Sequence, residues 1–351
     1  MIDPRTVLLV FCLYVSGLFL VALWVEKRSA TGRSPANHPL VYSLSLAVYC
    51  TAWTYYGSVG KAATSGILFL PIYLGPTIVV LIWCTLLRKL VRLKTIHRIT
   101  SIADFLSARY DKSQLLAALV TVIAIIGIMP YIALQLKAII STFILITTPM
   151  AIGSTSGELP VSWITQNIPA IVVVLMILFS IVIGVRHLDP TERHEGMIMA
   201  LAVECLVKLV AFLIGGIFVT YFLFGGLGDM FEKALNSSHR NLVSFWGMSG
   251  TYYATWASYL VLSMSAIICL PRQFHVTVVE NPDEKHILTA MWCFPLYMML
   301  INVFVIPIAL GGLIKGLPVD KADSFVLMLP LHHGVGWLSL AVFIGGVSAA
   351  A

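Results

Sequence analysis

Charge is what this chain has least of. Of 351 residues, 11% are Asp, Glu, Lys or Arg and 59% are apolar, with a mean hydropathy of +0.94. A soluble domain carries about 25% charged residues, so a water-solvated globule is excluded. Cysteine is scarce where cross-links would form: Cys12, Cys50, Cys84, Cys205, Cys269 and Cys293 all fall inside apolar runs. That placement argues against a disulfide framework, and no metal-ligand spacing is present. Also missing are a Walker loop, a nucleophile elbow and an HExxH pair, so the sequence offers no catalytic constellation and no organic cofactor site. The net charge of +6 could suggest nucleic acid. The basic residues cluster in short loops between apolar runs, however, which orientation on a lipid bilayer explains better.

What is abundant is the membrane-length apolar run. A span needs about 20 residues, and runs of that order lie at 6–25, 40–60, 66–87, 113–146, 162–184, 195–225, 250–270, 287–313 and 334–351. The last stops at Ala351 with no polar cap, so the expectation is a polytopic membrane domain cut short. The first, Thr6 to Val25, has no small-residue cleavage site after it and reads as a retained helix. Taken alternately, the loops at 26–39, 88–112, 186–194 and 272–286 hold 14 of the 22 Lys and Arg residues. The positive-inside rule then predicts an outside N-terminus. Within 88–112, Ser101 followed by Asp104 predicts the start of a short interfacial helix.

Several spans carry helix breakers: Gly57 and Gly60, then Pro71, Gly75 and Pro76, then Gly127 and Pro130, then Pro295 and Pro307. Breaks survive in lipid where protein or a water-filled cavity satisfies the freed backbone groups, and transporters put binding sites there. Charges inside spans are the sharpest signal. Glu204 and Lys208 stand four apart and share one face of the sixth span, either as a neutralised structural pair or as a proton- or ion-coupling pair. Lys137 has no acidic partner nearby in sequence, and its stem is long enough to snorkel to the outer interface. Glu192 and Glu195 read by default as solvated loop acids. Tyr49, Trp53, Tyr55 and Tyr56 read as an interfacial belt or, beside the glycines, as a substrate-facing group. His332 and His333 fall in an outer loop, and adjacent histidines are a poor metal site.

Six segments together resemble the sodium:solute symporters, and most closely the transporter-like membrane domains of CbrA-type sensor histidine kinases. They are YCTAWTYYGSVGKAATSG at 49–66, ITSIADFLSARY at 99–110, YIALQLKA at 131–138, TERHEG at 191–196, LPRQFHVTVVENPDEKH at 270–286 and GGVSAA at 345–350. The resemblance implies an all-α fold, an inverted five-plus-five helix repeat with one extra N-terminal helix, here C-terminally truncated in the second repeat. It implies a sodium site made by the carbonyls of Ala47 and Cys50 with Gly345 and the Ser348 hydroxyl. Relatives usually add a second hydroxyl at the next position, which here is Ala349. The family's cytoplasmic-side acid corresponds to Glu192. Substrate would lie against Trp53, Tyr131 and Gln135. Where many relatives have Pro-His after the seventh span, this chain has Pro271 and His275 with three residues between.

The expected activity is ion-coupled alternating-access transport of a small organic solute, an amino acid such as histidine or a carboxylate. The expected setting is the bacterial inner membrane. The missing oxygen at Ala349, with Lys208 midway along the fifth core helix, favours a proton or no ion over strict sodium coupling. A second expectation is a ligand-sensing input domain, reaching a response regulator through a kinase region beyond residue 351, and a third is an inactive fragment. Nothing within the chain itself carries kinase chemistry.

Overall fold

A computed structural model of the chain describes residues 2–350 apart from 33, 149–166, 168, 175–176, 179–180, 182–193, 239 and 243–249. Among the described residues every regular element is helical. Helix α1, Pro4–Ser29, opens on Pro4, whose missing N–H removes no helical bond, with Asp3 Oδ1 accepting from Arg5 N at 3.0 Å. It closes over Lys27 and Arg28, the sign of charge that a helix C-terminus favours.

The second apolar run does not form one helix. Helix α2, Pro39–Ser45, tightens into a 3-10 turn at Leu46–Tyr49 and comes apart at Cys50 and Thr51. It rewinds as a π turn, Trp53–Gly57, and as α3, Ser58–Ser65. The break therefore precedes Gly57 and Gly60, where the sequence predicts it. Those two glycines lie in wound turns, and their smallness serves close approach: a Cβ on Gly60 would collide with Asp323 Oδ1. The chain then bends by 62° between Trp53–Phe69 and Pro71–Ile82. Helix α4, Pro71–Val79, keeps Pro76 in its interior, which leaves the Ile72 carbonyl without its helical donor. The Tyr49 hydroxyl donates to that carbonyl at 3.1 Å.

Helix α5, Leu86–His97, carries the basic run to the membrane edge, and α6, Ile102–Arg109, is the short helix foreseen from Ser101 and Asp104. Ser101 Oγ accepts from Asp104 N at 3.0 Å, and Asp104 Oδ2 accepts from Thr100 N at 3.1 Å. Helix α7, Gln114–Thr147, runs 34 residues without interruption. The break expected at Gly127 and Pro130 is absent, since one proline forfeits a single hydrogen bond and the apolar turns on either side continue the winding. The fifth expected span lies largely outside the described residues.

Helix α8, Glu195–Ile217, continues as a π turn to Leu223; α9, Leu227–Leu235, follows, then α10, Gly250–Cys269. A turn at Pro271–Phe274 leads into a π turn, His275–Val279, before α11, His286–Asn302, and α12, Val305–Ile314. The stretch after α12, expected as an outer loop, is a 3-10 turn at Val319–Ser324 and α13, Phe325–His332. The run FVLMLP is too short to span a bilayer, so length alone assigns it to a loop. Packing decides otherwise, and residues Phe325 to Pro330 are all buried. Helix α14, Gly336–Ala350, ends the described chain.

Among the described residues, five helices are long and apolar enough to cross a membrane, or six if the bent pair is one span. The chain is a multi-pass, all-α membrane protein. Helix α8 is its centre, touched by α1, α2 and α14, while α4 packs on α10 and α2 on α11. Glu204, Cys205, Lys208, Ala211, Phe212 and Gly215 form the buried stripe of α8 at helical spacing. The stripe places two charged residues against the broken second run.

Candidate functional site

Every polar backbone group at the break has to find a partner that a continuous helix would have supplied. Here side chains from other elements do it. Gln273 Nε2 donates to the Leu46 carbonyl at 3.1 Å. Lys208 Nζ donates to the carbonyls of Cys50 at 2.6 Å and Ala47 at 3.2 Å. Gln135 Oε1 accepts from Ala52 N at 3.1 Å, and Thr51 Oγ1 accepts from Trp53 N at 3.3 Å. Tyr42, on α2, donates its hydroxyl to the Thr277 carbonyl at 2.8 Å. The sequence CTA carries no glycine or proline. The break is specified by what surrounds it.

Lys208 and Glu204 are 3% and 4% exposed, so both are removed from solvent. They share a face of α8 as their spacing requires, yet no ion pair within 4.0 Å joins them among the described contacts. The ammonium reaches across to the two carbonyls of the break instead. The charges acting on the Glu204 carboxyl are those of Lys208 and then Arg272. Ser348 Oγ donates at 2.7 Å to the backbone carbonyl of Glu204. Gly345 lies against Ala211 and the Tyr55 hydroxyl with no room for a Cβ, and that hydroxyl donates to the Val342 carbonyl at 3.0 Å. Ala47, Cys50, Gly345 and Ser348 thus meet around α8, with the lysine ammonium on the two carbonyls. Ala349 is buried in the same helix. Glu192 lies outside the described residues.

Beside the break is a cavity of about 340 Å³, within the range of small-molecule sites. Trp53, Tyr131 and Gln135, drawn from two different spans, all line it. Tyr56, one of the aromatics read as a belt or a substrate-facing group, lines it too, whereas the sequence missed Asp323 and Ser324 entirely. These last two belong to the 3-10 turn that length assigns to a loop. Lys137 lines the cavity as well. Its acidic counterpart, absent from its own helix, is Asp323. Burial pushes the Asp323 carboxyl above the usual aspartate range, and the charge of Lys137 pulls it partly back. No ion pair within 4.0 Å joins the two among the described contacts, so a cation and an anion flank an open space walled by aromatic rings. The Trp53 ring stacks on Tyr73 at 6.3 Å, and the Arg272 guanidinium lies 4.9 Å over the Tyr131 ring. The Tyr131 hydroxyl is buried with no hydrogen-bond partner among the described residues.

No protein-family model matches the chain. Its fold is similar to that of a Na+-coupled sialic acid symporter solved in a substrate-bound, outward-open state. The TM-score is 0.66 at 15% identity, over 100% of this chain and 71% of that one. In sequence it is similar to the uncharacterized symporter YodF of Bacillus subtilis (strain 168), 34% identical over 118 residues. That match takes in 34% of this chain and spans 23% of the relative's length. The chain therefore shares a membrane symporter fold.

Proposed function

We propose that the chain carries a small zwitterionic solute, an α-amino acid or a close analogue, across the bacterial inner membrane by alternating access, with the N-terminus outside. The solute carboxylate pairs with Lys137 and its ammonium with Asp323, while Trp53 and Tyr131 pack its side chain and Gln135 fixes the floor. Two opposite charges held apart across a space of about 340 Å³ suit a solute that bears both, and suit a simple carboxylate less well. Broken helices beside such a site are the usual design of secondary transporters.

Coupling is by a proton, or by no ion, rather than by sodium. The observation that carries this reading is the Lys208 ammonium, 2.6 Å from the Cys50 carbonyl and 3.2 Å from the Ala47 carbonyl. A covalently tethered cation occupies the oxygens that a sodium ion would need, and Ser348 has turned its hydroxyl to the α8 backbone. Uptake of labelled amino acids into vesicles, measured with and without a sodium gradient at fixed pH, tests it. Strong sodium dependence of uptake by the unmodified chain would refute it.

A sensing role fits the same geometry, because the segment LPRQFHVTVVEN supplies Gln273 and Thr277 to the broken run. Solute occupancy then shifts a conformational equilibrium that a C-terminal kinase region reads. Solute-dependent phosphorylation of a response regulator in the full-length protein, with no uptake, would select this reading over transport.

A further inference from the structure

At the end of the molecule that carries the basic loops, two histidines and a glutamate converge. His194 stands at the N-cap position of α8, while His275 opens the π turn after α10 and Glu280 follows it, so His194 and Glu280 come from positions 86 residues apart. His194 Nδ1 and His275 Nε2 each lie 3.1 Å from the same oxygen, Glu280 Oε1. The three candidate ligand atoms are all within 4.8 Å of one another. The other carboxylate oxygen, Oε2, accepts from the backbone N–H of His194 at 3.3 Å, which aims Oε1 at the ring nitrogens.

The π turn makes this convergence. Residues five apart on an α-helix point about 140° away from each other at 3.6 residues per turn. The wider turn, closed by Glu280 N to the His275 carbonyl at 2.9 Å, returns them to one face. Single π turns inside helices are frequent at functional sites. The Glu280 side chain is 2% exposed and the two histidines 28% and 35%, so the anchor is buried and one side stays open. Burial pushes the Glu280 carboxyl up, but the hydrogen bonds and charges of His194 and His275 outweigh it and hold the group at about 2. A small cavity next to Glu280 is lined also by Glu195. The Glu195 Oε2 atom is buried and makes no hydrogen bond among the described residues.

We propose that His194, His275 and Glu280 form a binding site for one transition-metal dication of the zinc class. Two imidazoles and a carboxylate are a zinc ligand set, commonly completed by water in the open position. With metal–ligand bonds of about 2.0–2.1 Å, tetrahedral geometry sets ligand atoms about 3.3 Å apart, close to the two 3.1 Å separations found. The carboxylate is already oriented by a hydrogen bond to its second oxygen, as ligating carboxylates are. A metal ion would replace the hydrogen bonds that the two rings make with Glu280 Oε1, and because a ligating imidazole must present a bare nitrogen, binding competes with protons. The ion would tie the start of α8, the helix of Lys208, to the segment that supplies Gln273 to the break.

The full chain, purified in detergent and stripped with a chelator, is titrated with Zn2+ against a chromogenic chelator and with Co2+ by visible absorption. One equivalent of metal with the intense absorption of tetrahedral Co2+ is expected, with a zinc-dependent rise in unfolding temperature. Glu280→Gln and His275→Ala should each weaken binding by at least about tenfold, since even outer-shell losses do that much. His275→Cys, which keeps a ligand, should retain Co2+ and add a thiolate charge-transfer band, separating ligand loss from misfolding. The proposal is overturned if the folded chain takes up no metal at excess Zn2+. It is equally overturned if the His194→Ala/His275→Ala double variant binds as tightly as the parent.

Discussion

Replacing Lys208 with methionine tests the centre of the molecule most directly. The thioether keeps the volume of the lysine stem and removes the ammonium. The Ala47 carbonyl would retain its 2.9 Å bond from Cys50 N, but the Cys50 carbonyl has only the ammonium among the described contacts. A hydrogen bond to a charged group contributes about 1.5–3 kcal/mol, and a buried acceptor left bare costs a similar amount. Lys208→Met should therefore destabilise by about 2–3 kcal/mol. Lys208→Ala also removes about three buried methylenes at roughly 0.8 kcal/mol each, for a total near 5 kcal/mol. Thermal unfolding in detergent, compared in sodium and potassium chloride, reads both the loss and its repair. The parent should be indifferent to the choice of cation. Lys208→Ala should recover part of its unfolding temperature in sodium alone, because the two carbonyls become free for an ion. A methionine variant at least as stable as the parent, with no sodium response in the alanine variant, would refute the assignment of the ammonium to the broken helix.

Tyr49→Phe should lower stability by about 1 kcal/mol by exposing the Ile72 carbonyl; adding Pro76→Ala, which restores the helical N–H, should abolish that loss in a double-mutant cycle. Asp323→Asn should weaken amino-acid binding at least tenfold in a scintillation proximity assay, while Ser324→Ala should change it little. Because burial holds the Asp323 carboxyl above the usual range, falling pH should remove binding at milder acidity than an ordinary aspartate would require. The linkage sign is opposite for the empty protein: protonating a raised carboxyl favours the folded state, so Asp323 should add stability as pH falls through its value. Gly346→Ala should destabilise by more than 2 kcal/mol, since its Cβ would overlap the buried Tyr56 hydroxyl on a rigid ring; unfolding temperature checks it.

The parts of this fold that local chemistry dictates were legible in the sequence. Ser101 and Asp104 cap α6 as their spacing requires, and the apolar runs mark where the long helices lie. Trp53, Tyr131 and Gln135 were reached through motif resemblance and do share a cavity. What stayed hidden was set by partners far along the chain. The break at Cys50 and Thr51 carries no breaker residue and is held open by Lys208, Gln135 and Gln273. Asp323 was out of reach because FVLMLP is too short to count as a span and gives no sign that it folds inward. His194, His275 and Glu280 were invisible as a set, since no spacing rule joins residues on two different elements. The pairing of Glu204 with Lys208 failed for a related reason: helical spacing fixes the face, while a flexible stem chooses among partners on that face.

The side chains that satisfy the broken run reach it from three separate places, α7, α8 and the turn after α10. In hydrocarbon a peptide group released from one partner must be taken up by another at once. A shift of the broken run against any of these elements therefore strips a carbonyl or an N–H that only water can then serve. Any change of shape at this point is also a wetting step, and its rate is tied to how readily water enters from the neighbouring cavity. Osmolytes that are excluded from that cavity should slow the motion while leaving the resting structure unchanged.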